Sequence, residues 1–149
     1  MSEFFPGVHF VQQKVTPVDD AIVWRRLFSD GKLTGCDFSI AGYTLTMTAG
    51  HIMVCGRQIR HTSVENWPVN GESSGFARLL LVIDLSRLAT DDDFDQVNTL
   101  VEYADTLDGF PALLQEDINA AGYIYQLPLC VMALSEQGIT EIVSRIGSA

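Results

Sequence analysis

The chain has few of the residues on which most enzyme chemistry rests. It holds three cysteines and three histidines. Cys36, Cys55 and Cys130 are far apart, with no CxxC pair and no Cys/His cluster of zinc spacing. All three stand in apolar, strand-like runs, where cysteine acts as a small hydrophobe with a free thiol, and their odd number fits a reducing compartment. Basic residues are also scarce. Nine lysines and arginines face nineteen acidic residues, a net charge of −10. That balance excludes a nucleic-acid phosphate track and opposes binding to an anionic membrane surface. The longest aliphatic run, Leu79–Ile83, is too short to cross a bilayer. MSEFFPGVHF has no basic stretch followed by a long apolar one, so no signal peptide is expected.

Catalytic motifs are missing as well. Gly31, Gly35, Gly42, Gly50 and Gly56 are spaced for strand turns, not for a phosphate-binding G-x-G-x-x-G. Ser73-Ser74-Gly75 lacks the G-x-S-x-G elbow. Arg57 could acidify the Cys55 thiol, but the strand pattern around Cys55 implies burial, which opposes that shift. Asp91, Asp93 and Asp95, with Glu102 further on, repeat the oxygen-ligand spacing of a calcium loop. Gln96 stands where the loop requires glycine, and the flanks read as strands. These aspartates are the metal candidate, against a solvated acidic loop; otherwise no metal and no cofactor is expected. His51 and His61 flank a turn at Gly56 and could face each other across a hairpin.

The chain is rich in apolar residues, at 47% with a mean hydropathy of +0.17. A length of 149 residues suits one domain with a core needing neither disulfide nor metal. The apolar excess fits a dense core or surface buried against other subunits. Residues 1–15 show no clear period and read as an arm that packs on its own domain or on a neighbour. Residues 16–149 form a single β-rich domain. Thr16-Pro17-Val18-Asp19 opens a helix, with Thr16 as cap and proline in the first turn, and Gly31 follows its end. This helix, about residues 17–29, is apolar on more than one side, which predicts burial on two sides. Phe4, Phe5, Phe10, Trp24 and Phe28 are the expected assembly contacts.

From Gly35 the period becomes two. Strands are predicted over 36–40, 43–47, 51–55 and 58–64 as a meander of antiparallel hairpins. Residues 66–75 read as loop, with Trp67 exposed in it; Trp67 and Tyr43 are the candidate ligand contacts. Residues 76–85 read as a central strand buried on both faces. Residues 97–104 read as strand in preference to helix, 113–119 as a possible helical turn, and 123–134 as a strand in which Pro128 implies an edge or bulge. A last strand covers 139–146. The fold class is mainly β: an antiparallel β-sandwich or barrel-like domain with one N-terminal α-helix.

One combination of motifs goes further. Asp30-Gly31-Lys32-Leu33-Thr34-Gly35-Cys36 is followed by Leu45-Thr46-Met47, Ala49-Gly50 and Ile52-Met53-Val54-Cys55-Gly56-Arg57. Then come Ala77-Arg78-Leu79-Leu80-Leu81-Val82-Ile83-Asp84-Leu85, Leu113-Leu114-Gln115-Glu116-Asp117-Ile118-Asn119, Tyr125-Gln126-Leu127-Pro128-Leu129 and Gly138-Ile139-Thr140. In order and spacing this resembles phage tail and baseplate structural proteins of Gram-positive prophages, over about residues 15–143. The resemblance implies a non-enzymatic virion component of a tail tip, baseplate or fibre attachment, assembled in the bacterial cytoplasm. It implies a homo-oligomer, a trimer in preference, that contacts other tail proteins, and it carries over no catalytic residue. With no long receptor-binding head, an adaptor or hub role fits best. A carbohydrate- or receptor-binding β module is the alternative.

Overall fold

The computed structural model describes residues 18–69, 75–87 and 96–149. The helix α1 spans Val18–Leu27, inside the predicted range, and ten strands follow among the described residues. The first six are β1 (Gly31–Gly35), β2 (Phe38–Ala41), β3 (Thr44–Met47), β4 (Gly50–Val54), β5 (Arg57–His61) and β6 (Glu65–Pro68). They make two three-stranded antiparallel sheets, ordered β1-β4-β5 and β2-β3-β6.

The two sheets are halves of one bent meander. Pairing runs without a gap from β1–β4 into β2–β3, because Cys36 N–H donates to the Ala49 carbonyl (3.1 Å) and Thr48 N–H to that of Asp37 (3.0 Å). At this corner Gly35 and Cys36 both have positive φ, +60° and +55°. A Cβ on Gly35 would lie 2.0 Å from the Ala49 oxygen, so only glycine lets the two strands turn together. The third strand bends between β5 and β6, where His61 ties it to the second. Its Nδ1 donates to the Thr48 carbonyl (3.0 Å), and Nε2 lies 3.0 Å from the Glu65 carboxylate.

The remaining strands are β7 (Gly75–Asp84), β8 (Val97–Ala104), β9 (Ile124–Ser135) and β10 (Gly138–Arg145), forming an antiparallel sheet of order β10-β9-β7-β8. The predicted central strand is β7, between β8 and β9, with Leu79 and Leu80 fully buried on its opposite faces. Five consecutive aliphatics are what such a position requires. The predicted bulge is also present: Leu79 pairs with Cys130 and Leu80 with Pro128, so Leu129 is the extra residue.

The sheets stack as a sandwich around one core that includes Leu45, Met47, Ile52, Leu79, Ile83 and Met132. It does not close into a barrel. On one side β10 and the C-terminus seal it: Ile139 N–H donates to Gly42, and Lys32 N–H to Gly147. On the other side β8, β5 and β6 are the edges among the described strands.

Two predicted features differ. Residues 66–68 belong to β6, not to a loop, because they pair with β3. Residues 113–119 form no helix: Gln115 bridges to Tyr125, and Leu114 and Glu116 exchange hydrogen bonds with Gln126 and Ile124. The chain turns only from Asp117, whose carbonyl accepts from Ala120 N–H (3.1 Å), and the nearest 3-10 helix is at Leu107–Gly109. Pairing with β9 outweighs the weak helix propensity of 113–119.

Candidate functional site

The most distinctive surface is α1. The helix touches the sandwich through Ala21, which is fully buried against the β4–β5 turn. Gly56 in that turn has φ +79°, and a Cβ there would lie 1.8 Å from the Ala21 carbonyl oxygen. The close approach therefore depends on glycine. Among the described residues nothing covers the outer sides of the helix. Val18, Ile22, Val23, Trp24 and Leu27 are exposed, Val23 to 57% and Leu27 to 66%. Trp24 lies against Phe28 with ring centroids 5.9 Å apart, and Phe28 is half-buried. The second side predicted to be buried is thus open to solvent, with apolar side chains where a lone globular domain would place charge. Of the expected assembly contacts, Trp24 and Phe28 sit on this helix; Phe4, Phe5 and Phe10 lie outside the described residues.

Beneath α1 is a polar cluster that locks the turn. The Asp30 carboxylate accepts from Cys55 N–H (2.8 Å) and from the Tyr125 hydroxyl (2.5 Å). The Cys55 carbonyl accepts from Asn119 Nδ2 (2.9 Å). Held on both sides, Cys55 keeps φ +51°, an unusual value for a side-chain-bearing residue. Arg25 lies 5.9 Å from the Tyr125 ring centroid. Burial, and then the Asp30 carboxylate, push the Cys55 thiol up; burial and the hydrogen bond to Asp30 push the Tyr125 phenol well up. Both groups are held protonated, the opposite of what a nucleophile needs. Cys55 lies in the turn, not in a strand. Arg57 turns into the interior, 4% exposed, and donates through Nη2 to the Ile118 carbonyl and Asn119 Oδ1, both at 3.2 Å. All three cysteines are buried and free.

The predicted metal and ligand residues do not converge. His51 pairs with Arg60 across β4–β5, and His61 with Gly50. Directly opposed residues share a face and successive ones alternate, so the two histidines are on opposite faces of the sheet. His51 Nδ1 lies 3.0 Å from Thr34 Oγ1 instead. Asp91, Asp93 and Asp95 lie outside the described residues. Glu102, their would-be companion, is bound by Arg78 Nε (3.0 Å), and Arg78 also lies over the Phe110 ring at 4.7 Å. Among the described residues no group of three or more His, Cys, Asp or Glu could hold a metal ion. Trp67 is not exposed in a loop. It points inward from β6, 8% exposed, and donates through Nε1 to Thr99 Oγ1 (3.1 Å). Tyr43 is half-buried and donates to the Ser135 carbonyl (2.7 Å). With Trp67 turned inward and the Tyr43 hydroxyl engaged, the stacking platform for sugar expected from this pair is not formed.

The open side of the sandwich holds a cleft of about 240 Å³ that sequence reasoning missed. Met47, Ile52, Leu81 and Leu129 line it together with Ile59 and Val97, and His61, Glu65 and Thr99 stand at its polar part. Both His61 nitrogens are engaged, with Thr48 and Glu65, so the ring is not set to act as a base towards a ligand. No short-range pattern brings these strands together, so the cleft left no signal in the sequence. A visible signal did exist for Arg78: a charge inside the apolar run of β7 demands a partner. No protein-family model matches this chain, and no curated protein matches it.

Proposed function

We propose that this chain is a non-enzymatic structural subunit of a phage tail or baseplate, acting through protein–protein contacts within the virion. The observation that carries the contact role is the uncovered apolar side of α1. The ordered motifs from Asp30 to Thr140, which resemble tail and baseplate proteins, supply the kind of assembly. The cluster at Cys55 agrees: it spends its polar groups on fastening the turn under α1, which keeps the helix presented in one orientation.

The magnitude is instructive. Covering the remaining exposed part of each of the five apolar side chains is worth about 1 kcal/mol apiece. Association itself costs about 4–15 kcal/mol. The helix alone therefore supports a weak contact, and a stable assembly needs a second surface.

The test is binding between the purified chain and the tail or baseplate proteins encoded beside its gene, measured by sedimentation and by titration. Val23→Asp with Leu27→Asp should leave folding intact and abolish that binding. A chain that stays monomeric and binds none of those proteins refutes the proposal.

A further inference from the structure

We draw no further inference here: the strongest candidate, the cleft at the open side of the sandwich with its apolar floor of Met47, Ile52, Leu81 and Leu129, has its polar groups His61 and Thr99 already engaged within the chain, and nothing in the structure shows what covers it.

Discussion

Replacing Glu102 with alanine tests how the open edge of the sandwich is held. Glu102 is opposite Arg78 in the β7–β8 register, and the two side chains are only 16% and 11% exposed. Arg78 Nε donates to the carboxylate at 3.0 Å, and Nη2 also donates to the Pro111 carbonyl at 2.9 Å. Removing the carboxylate leaves a guanidinium inside the sheet with one carbonyl and the Phe110 ring for company. Orphaning one member of a buried pair costs about 3–5 kcal/mol, and the residual exposure of this pair places Glu102→Ala near the lower end, about 3 kcal/mol. The assay is urea unfolding in dilute salt and again in 1 M NaCl. The loss should be similar in both, because a shielded pair is screened little. The Lys32–Asp37 pair, 28% and 72% exposed, serves as control: Asp37→Ala should cost under about 1 kcal/mol. Arg78→Met with Glu102→Leu should recover most of the stability lost in Glu102→Ala. A Glu102→Ala loss below about 1 kcal/mol, or one that vanishes in high salt, would refute the view that this pair is a buried fastener.

Three other perturbations address the turn, the cysteines and the inward tryptophan. Gly56→Ala should destabilise the fold by about 2 kcal/mol or more and loosen α1, seen as lower helical ellipticity and earlier thermal unfolding, because its Cβ would overlap the Ala21 carbonyl at a positive φ; unchanged unfolding would contradict the close approach. On the alkaline side, stability should hold from neutral pH to about pH 8.5 and then fall with rising pH. Burial raises the thiols of Cys36, Cys55 and Cys130, the last to about 11, so the unfolded chain loses these protons first and gains on the folded one as pH rises. A thermal midpoint constant from neutral pH to pH 11 would overturn this reading, and Cys130→Ala should make the fall shallower. Trp67→Ala should cost about 3–5 kcal/mol in chemical denaturation, the penalty of emptying a buried aromatic site, whereas an exposed loop residue would cost almost nothing.

Much of the architecture was legible locally. The helix over Val18–Leu27, the period of two from Gly35, and the aliphatic run of β7 each depend on neighbours a few residues apart. Propensity, capping and alternation act over that range. Pro128 showed its bulge for the same reason: a missing N–H is a local fact. The site was much less legible. Asp30 meets Tyr125 across 95 residues, and Arg57 meets Asn119 across 62. Nothing in the spacing of such residues reports their approach. Trp67 shows the limit well. Asn66-Trp67-Pro68 reads as a turn by composition, and only pairing with β3 makes it a strand that carries the indole inward.

The sequence by itself determined that the chain is a β-rich domain with one helix and that it is rich in apolar residues. Tertiary structure decided which apolar side chains are exposed, five of them together on the outer side of α1. It decided which charges are spent on fastening strands. The reason is physical. Alternation and propensity choose an element and the face it turns inward, but they are blind to what stands opposite. Exposure, ion pairing and a free strand edge are relations between segments distant in the chain, and those relations exist only once it has folded.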